Sequence, residues 1–403
     1  MPYVAATLSA VPMPEPAIER SIARGHVRGW CPGVLDPMET GDGWLLRIRV
    51  PGGFVTAAAL TLVGQIANDF GSGIVEITSR ANLQIRGVAS RQLDRATAAV
   101  VATDLVGLDA RRDAFRSVVG NPLTGHDLRA AGTSRPLVHA LVDRLTTDIA
   151  GNAPSKFGIV IDDGGSWDLG DLDADVTFRA CGAGIWAVFL RRASESIGCT
   201  ANPIAVAVTA TQWCVDADGR MDRFVASVGA AGIAERLALA APSGDACLHP
   251  RAPRPGRIIG VLPHVDPMFA NVVAAPFLGR TDNALLAGIA ELATTHNADL
   301  RLTPDHSVAF CGVREESATA LVSQLLGFGL IVDIDDPRAL LSACVGSRGC
   351  ASALADTWAV GHRLAAAAQL TGRLHLSACA KQCGAPAGVR HLVADESGAF
   401  CET

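Results

Sequence analysis

Two pairs of cysteines near the C-terminal end of the chain have the residue type and spacing of a metal centre. Cys344 and Cys350 flank five residues in CVGSRGC, and Cys379 and Cys383 flank three residues in CAKQC. Four thiolates supplied by two loops are the ligand set of a [4Fe–4S] cubane, although this spacing differs from the common ferredoxin runs. We therefore predict that these four sulfurs hold a cubane iron–sulfur cluster that supports redox chemistry.

A structural zinc ion on the same four cysteines is the main alternative. Zinc sites usually pair cysteines across about two to four residues, so the longer first interval favours the cluster. Four unrelated buried thiols are a third interpretation. The other seven cysteines show no paired spacing, and we interpret them as core or surface thiols. They are Cys31, Cys181, Cys199, Cys214, Cys247, Cys311 and Cys401.

The segment between the two pairs predicts a helix followed by a strand. Residues 351–370 have the composition of a helix, and residues 373–378 indicate a short strand that leads to the second pair. Cys350 would then lie at a helix N-terminus. Free backbone N–H groups and the positive end of the helix dipole would stabilise thiolates there.

Polar side chains alternate along two predicted strands in the N-terminal part of the chain. Because side chains of a strand alternate between its faces, residues 44–50 and 77–88 each place their polar side chains on one face. These side chains are Arg47, Arg49, Thr78, Arg80, Asn82, Gln84 and Arg86. Arg116 and Lys156 add two further cations. A guanidinium binds a carboxylate through two parallel hydrogen bonds, so the set predicts an anion-binding face.

These candidate residues lie in a chain that repeats itself. Residues 269–313 match residues 44–88 without a gap, and residues 331–346 match residues 105–120. Two matched segments in the same order indicate an internal duplication. Each copy has the strand–helix–strand–helix order of a two-layer α+β sandwich.

The second copy keeps the signals of the fold and loses the cations. It has Val272 where the first copy has Arg47, and Asp305 where the first copy has Arg80. It carries the cysteine pairs instead. A solvated strand face remains the alternative for any single arginine, but the asymmetric loss favours a division of labour. We predict that the first copy binds an anion and the second holds the cluster.

Composition excludes several classes of protein. The net charge of −6 gives no basic field for nucleic acid. No run of about 18 apolar residues predicts a membrane span, and the first residues lack the pattern of a signal peptide. Eleven cysteines without such a signal favour a reducing cytoplasm. The chain has only two lysines, Lys156 and Lys381, which makes the location of both informative.

Together these features resemble the nitrite and sulfite reductase hemoprotein superfamily. The resemblance covers roughly residues 26–392 and rests on the duplication, on R-x-R-x-P-G-G and T-S-R-A-N-L-Q in the first copy, and on the cysteine pairs. Within it, residues 28–49 and 154–162 are similar to the precorrin-3B synthase family. The resemblance implies an α+β, internally duplicated fold, with two ferredoxin-like half-domains and two cluster/tetrapyrrole-binding α/β lobes around a pseudo-twofold axis.

The resemblance also implies a division of the chain and roles for residues. The regions are a loose N-terminal arm (1–25), half-domain 1 (26–110), lobe 1 (111–255), half-domain 2 (256–335) and the 4Fe–4S lobe 2 (336–403). In the reductases the four matching cysteines bind the cluster, and the one matching Cys383 bridges to siroheme iron. The implied catalytic cations around the bound oxyanion are Arg47, Arg116 and Lys156. The implied tetrapyrrole-binding side chains are Arg49, Arg80, Asn82, Gln84 and Arg86.

One position departs from the reductase pattern. The reductases carry Lys or Asn two positions after the lysine that matches Lys156, where this chain has Gly158. The missing side chain weakens the case for sulfite or nitrite reduction. It leaves room for a different small molecule.

For the precorrin-3B synthase family the implied reaction is dioxygen-dependent hydroxylation of precorrin-3A at C20, with a ring-A acetate closing a γ-lactone on C1. The implied partners are precorrin-3A, O2 and an external electron donor, and the implied cofactors are the [4Fe–4S] cluster and a mononuclear non-heme iron. Candidate iron ligands are His26, His126, His139 and His375, which show no facial-triad spacing. A short siroheme-dependent sulfite or nitrite reductase and a non-catalytic zinc protein are the competing functions.

Overall fold

The computed structural model describes residues 31–242 and 257–402, except for residues 104, 108, 168, 171, 192, 194, 368, 369, 371 and 387. The predicted arm at residues 1–25, His26 and Cys247 lie outside the described residues. Within the described ranges the chain forms four β-sheets. No helix in these ranges is both long and apolar enough to cross a bilayer.

The first sheet is antiparallel and carries the predicted cationic face. Its elements are β1 (Met38–Thr40), β2 (Gly43–Ile48), α1 (Ala57–Phe70), β3 (Val75–Ile77), β4 (Leu83–Val88) and α2 (Leu93–Val101). The strands lie in the order β1-β2-β4-β3. Thr56 caps α1 by accepting a hydrogen bond from the Ala59 N–H group, as expected of a threonine at this position.

The second sheet begins with parallel strands and ends with a hairpin. The elements of this part are α3 (Ala110–Ala114), β5 (Val118–Gly120), α4 (Arg135–Asp148), β6 (Ile159–Asp162), β7 (Val176–Gly182), β8 (Ile185–Leu190), β9 (Gly198–Thr200), α5 (Pro203–Asp216), α6 (Met221–Val228) and α7 (Ala230–Arg236). β5, β6 and β7 are parallel, and β8 and β9 continue the sheet antiparallel.

The third sheet repeats the first. The elements of this part of the chain are β10 (Gly260–Pro263), β11 (Phe269–Ala274), β12 (Arg280–Thr281), α8 (Asn283–Thr295), β13 (Asp299–Leu302), β14 (Val308–Arg314) and α9 (Glu315–Gly327), of which β12 joins the edge of the first sheet. The order β10-β11-β14-β13 reproduces β1-β2-β4-β3. The strands and the long helix fall where the sequence repeat places them, so the predicted duplication is confirmed in this part of the chain.

The fourth sheet repeats the second in a shorter form. Its elements are β15 (Leu341–Ala343), α10 (Thr357–Ala367), β16 (Leu374–Ser377), β17 (Arg390–Ala394) and β18 (Phe400–Glu402). β15, β16 and β17 are parallel, and β18 closes an antiparallel hairpin with β17. The predicted cysteine pairs lie in the loops after β15 and β16.

The two copies join by exchanging edge segments. β12 of the second copy pairs with β3 of the first, and Phe54 of the first copy forms a bridge with Arg301 in β13 of the second. α1 packs on α8, and a Cβ added at Gly64 would lie 3.2 Å from the Asn283 Cα, so the helices approach closely there. The reciprocal exchange matches the implied pseudo-twofold, and the predicted fold class is confirmed. The region boundaries themselves stay a prediction.

Candidate active site

A cavity of about 990 Å³ brings the two predicted sites together. Its walls come from both half-domains and both lobes. All four predicted cluster cysteines line it, and so do all the predicted cation and amide positions except Arg116. These shared lining residues are Arg47, Arg49, Arg80, Asn82, Gln84, Arg86, Lys156, Cys344, Cys350, Cys379 and Cys383. Four thiols and a cationic strand face therefore share one cavity.

Backbone hydrogen bonds hold the two cysteine loops side by side. The Cys344 N–H donates to the Leu376 carbonyl at 3.0 Å, and the Leu354 N–H donates to the Ala378 carbonyl at 2.8 Å. The Ala378 N–H donates to the Cys344 sulfur at 3.2 Å. Such N–H donors to sulfur are the contacts that stabilise cluster thiolates and tune their clusters.

The cysteines of the cavity also shift one another's pKa values. Burial raises the pKa of Cys344, two backbone N–H groups oppose this, and the nearby Cys383 and Cys379 raise it further. Burial, Cys379 and Cys350 raise the pKa of Cys383, while Lys381 and Lys156 lower it. Both lysines of the chain therefore act on the same sulfur.

The donor set suits a cluster of iron atoms with thiolate ligands. Three of the four cysteines are half-buried and Cys383 is exposed, so the loops offer both a protected and an accessible side. No group of three or more His, Cys, Asp or Glu side chains is arranged to hold a metal ion in the described parts of the chain. The residues that could hold a cofactor are nevertheless the four cysteines that line this cavity.

The predicted helix after Cys350 begins later than expected, so the prediction that Cys350 lies at a helix N-terminus is wrong. The cysteine follows a 3₁₀ turn at Gly346–Arg348, and α10 starts only at Thr357. Asp356 stops the helix from starting earlier, because its Oδ1 accepts from the Trp358 and Ala359 N–H groups at 3.0 and 3.1 Å.

Arg47 faces the cavity from β2, as the strand alternation predicts. Arg80 also lines the cavity, but it lies in the turn between β3 and β4, so the prediction that residues 77–88 form one alternating strand is wrong at residues 78–82. Arg47 donates from Nε and Nη2 to the Gln84 Oε1 at 2.8 and 2.5 Å, and Arg80 donates to the Asp173 carbonyl. Burial lowers the pKa of Arg47 to about 10 and also lowers the pKa of Arg80. A pKa near 10 still leaves Arg47 protonated at neutral pH, so it can bind an anion.

Lys156 has an unusual backbone at the same cavity. Its φ is +63°, a left-handed conformation that costs a non-glycine residue roughly 1–2 kcal/mol. No ion pair joins Lys156 to any residue that the structure describes. Local strain of this kind concentrates at functional sites, where the surrounding structure maintains it.

Gly158 explains how Arg80 is accommodated. A Cβ added at Gly158 would lie 2.6 Å from the Arg80 Nη1. The guanidinium therefore occupies the space that a side chain at position 158 would need. Gly158, which stands where the reductases carry Lys or Asn, thus leaves the space that the Arg80 guanidinium occupies.

Three of the predicted cations already have carboxylate partners. Arg49 pairs with Asp113, and Arg116 lies 3.7 Å from the same carboxylate. Arg86 pairs with Asp42 at 3.0 Å and Glu76 at 3.3 Å. Alternation along a strand predicts which face these side chains share, but it cannot reveal the carboxylates that other elements bring to them.

Asn82 also has a structural partner. Its Oδ1 accepts from the Val50 N–H at 2.9 Å, which fixes the end of β2 beside the cavity. Gln84 accepts from Arg47 and donates to the Glu76 Oε2 at 3.1 Å. These amides orient the charged side chains around them.

Sequence reasoning missed several residues that line the cavity, namely Cys31, Glu76, Arg111 and His306. The His306 Nδ1 lies 2.6 Å from the Ile77 carbonyl, and burial lowers the pKa of this imidazole, so it is neutral at pH 7. The repeat could have revealed it, because His306 occupies the position of Ala81, and both have positive φ. Lys381, one of the two lysines of the chain, also lines the cavity.

The candidate ligands of a mononuclear iron are not brought together. Among the described residues, His126, His139 and His375 have separate partners. These are His264 at 3.0 Å for His126, the stacked Phe54 ring for His139 and Ser342 at 2.9 Å for His375. Burial lowers the pKa of His375 to about 4, as is typical of a structural histidine.

Cys181 differs from the prediction for the unpaired cysteines, because it is disulfide-bonded. Disulfide connectivity cannot be deduced from sequence alone, so the cysteine spacing did not reveal it. Cys31, Cys214, Cys311 and Cys401 are thiols, as predicted.

The comparisons with known proteins agree with this fold. A family model described as the nitrite/sulfite reductase ferredoxin-like half domain matches residues 36–102 and 266–327. Precorrin-3B synthase of Sinorhizobium sp is 29% identical over 381 residues, which cover 89% of this chain and 79% of that protein. The chloroplastic ferredoxin–nitrite reductase of Betula pendula is 25% identical over 415 residues, which cover 89% of this chain and 70% of that protein.

A solved structure has the same fold. The NirA protein of Mycobacterium tuberculosis superposes with a TM-score of 0.71 at 20% identity, over 89% of this chain and 73% of that one. The two matched half-domains, the relatives and the shared architecture lead to one conclusion. This chain is similar to the nitrite and sulfite reductase superfamily, because it carries two of that family's ferredoxin-like half domains and has the fold of the NirA protein.

Proposed function

We propose that this protein is an oxidoreductase of the precorrin-3B synthase type, which hydroxylates precorrin-3A at C20 with O2 in cobalamin biosynthesis. The observation that carries the proposal is the single cavity, in which four cysteine thiols face a cationic strand surface. The similarity to a precorrin-3B synthase over 89% of the chain supports it.

The four thiols are the proposed ligands of a [4Fe–4S] cluster. Cys344 and Cys350 would bind from the loop after β15, and Cys379 and Cys383 from the loop after β16. When bound, the cluster supplies one-electron transfer. The Ala378 N–H beside the Cys344 sulfur would stabilise the thiolate charge, and the two lysines would offset the negative charge at Cys383.

We call Arg47, Arg80 and Lys156 the cationic wall of the cavity. This wall is the proposed site for the substrate carboxylates. Arg47, Arg80 and Lys156 line the cavity, and among the described residues none of them forms an ion pair with a carboxylate. Precorrin-3A carries many carboxylates. At about 990 Å³ the cavity lies at the upper end of the range for small-molecule sites, so a macrocycle is a reasonable ligand by size. Arg47 and Arg80 would orient it by bidentate contacts.

The proposed reaction balances with two electrons from an external donor, and a one-electron carrier such as a ferredoxin would deliver them in two steps. One oxygen atom of O2 becomes the C20 hydroxyl group. The other leaves as water and takes up two electrons and two protons. The C1–C20 double bond becomes a single bond as an oxygen of the ring-A acetate bonds to C1 and closes the lactone. The acetate O–H bond breaks, and its proton completes the C20 hydroxyl group. The protein residues bind the carboxylates and hold the macrocycle in place.

The electron donor and the compartment are part of the proposal. Several similar proteins are named ferredoxin-dependent reductases, so a ferredoxin is the donor that we would test first. Cysteine thiols that must stay reduced to bind iron favour the cytoplasm.

A siroheme-dependent sulfite or nitrite reductase is the second candidate. The matches to nitrite reductases across most of the chain favour it, whereas Gly158 does not. The visible spectrum of anaerobically purified protein separates the two. We expect a broad shoulder in the blue region, while an intense Soret band with siroheme bands in the red would support the reductase.

The ligand assignment predicts the effect of Cys383→Ser. This variant should lose most of the iron and the brown colour, because one of the four thiolates is missing. The matched control is Cys401→Ser, which removes an exposed thiol elsewhere. Iron, zinc and sulfide are measured in both variants and in the unsubstituted protein. Full iron content in Cys383→Ser would remove that cysteine from the cluster, and zinc without iron would replace the cluster by a zinc site.

The cationic wall predicts weaker substrate binding in Arg80→Ala. A charged hydrogen bond contributes about 1.5–3 kcal/mol, so affinity for precorrin-3A should fall roughly 10- to 150-fold. Iron content should not change. Arg95→Ala is the control, because Arg95 contacts Gln92 on the surface of α2. Equal affinity in a fluorescence titration of Arg80→Ala would exclude this arginine from substrate binding.

The reaction itself is tested with isotopically labelled oxygen. Cluster-replete protein, precorrin-3A, a reduced donor and ¹⁸O2 should yield a product that carries one labelled oxygen atom by mass spectrometry. Omission of O2 is the control and should leave the substrate unchanged. Product without the label, or no product from protein that holds its full cluster, would contradict the proposed function.

A further inference from the structure

Two arginines contact the backbone of the loop that carries Cys344 and Cys350. The Arg86 Nη2 donates to the Gly349 carbonyl at 2.8 Å, and the Arg280 Nη2 donates to the Val345 carbonyl at 2.6 Å. The two carbonyls lie at opposite ends of the loop, each next to a cysteine. The loop is therefore held at both ends by guanidinium groups.

Glu76 connects the two arginines. Its Oε2 lies 3.3 Å from the Arg86 Nη1, and its Oε1 lies 3.4 Å from the Arg280 Nε. Burial alone would lower the pKa of Arg86, but Glu76 and Asp42 raise it overall, so the side chain stays charged. We call Arg86, Glu76 and Arg280 the loop clamp.

Close packing fixes the loop against this clamp. A Cβ added at Gly349 would lie 2.5 Å from the Arg86 Nη2, and one added at Gly41 would lie 2.6 Å from the Ala351 nitrogen. The Gly41 N–H also donates to the Gly349 carbonyl at 3.2 Å. The turn between β1 and β2 and the cysteine loop thus meet backbone to backbone.

Arg86 has little capacity left for a ligand. A guanidinium has five N–H donors. Arg86 directs its donors to both oxygens of Asp42, to Glu76 and to Gly349. Its side chain is only 4% exposed. A bidentate grip on a substrate carboxylate would require breaking a buried ion pair, which is costly.

The clamp exists on one side of the duplicated fold. The repeat places Cys311 at the position of Arg86, and Val55 at the position of Arg280. Neither arginine has a cationic counterpart in the other copy. Arg86 and Arg280 are therefore present beside the loop that carries cysteines. The positions that the repeat relates to them carry Cys311 and Val55 instead.

We propose that Arg86 and Arg280, joined through Glu76, are positioning residues for the iron–sulfur cluster, with Arg86 serving the cysteine loop in place of the tetrapyrrole. The inference rests on the proposed cluster. The loop clamp has two effects. It holds Cys344 and Cys350 at the spacing that the cluster needs, and it sets the electrostatic environment of the cluster.

Arg280→Gln is the main test variant, because it removes one cation and leaves Glu76 beside the loop with less compensation. An EPR-monitored redox titration should then show a lower midpoint potential. A tenfold change in the redox equilibrium corresponds to about 59 mV for a one-electron couple. The cluster should also be lost about tenfold faster in the presence of a chelator. Affinity for precorrin-3A should stay within about twofold of the unsubstituted protein.

Two further variants keep the test decisive. Arg280→Lys retains the charge and should restore most of the potential, but not the slow cluster loss. Arg348→Gln is the matched control: Arg348 lies in the same loop, and its ion pair with Asp356 is at the surface. It should leave the rate of cluster loss unchanged.

The outcomes separate this inference from the proposed function. If unsubstituted protein holds no iron–sulfur cluster, the proposed function fails and the inference with it. If it holds a cluster, and Arg280→Gln keeps the same potential and the same rate of cluster loss, the inference alone is overturned. A large loss of precorrin-3A affinity in Arg86→Gln with an unchanged cluster would assign Arg86 to the substrate and also overturn it.

Discussion

The pairing of β3 with β12 is the constraint on which the site depends. It joins the edge of one half-domain to a short segment of the other, and so sets the distance between the cationic strand face and the cysteine loops. Arg280 lies in β12 itself and reaches the Val345 carbonyl. The contact that unites the two copies is therefore also a contact to the candidate cluster loop.

A duplicated fold allows two chemical tasks in one cavity. The copies share a strand order, yet the first supplies Arg47 and Arg80 and the second supplies the cysteines. Thiols packed together raise one another's pKa, and nearby cations reduce that cost. Lys156 and Lys381 act in this way on Cys383 from opposite parts of the chain. Cations in this cavity would thus serve both an anionic ligand and the thiolates.

The sequence predicted those features that depend on local spacing or on the repeat. Cysteine spacing identified four side chains that line one cavity, and strand alternation identified Arg47. Arg80 lines the same cavity from the turn between β3 and β4, a turn that alternation did not predict. The partners of Arg49 and Arg86 were not predictable, because Asp113 and Asp42 come from other elements. The start of α10 was placed too early because alanine-rich residues before Asp356 have helical composition, whereas the cap decides where the helix begins.

The proposed function requires that the cysteine thiols and the cationic wall face the same bound molecule. EPR spectroscopy of the anaerobically reduced protein, with and without saturating precorrin-3A, tests it most directly. A ligand in the shared cavity should shift the g-values of the reduced cluster. A cluster spectrum that is identical in both samples, with binding shown independently, would place the ligand elsewhere and contradict the account.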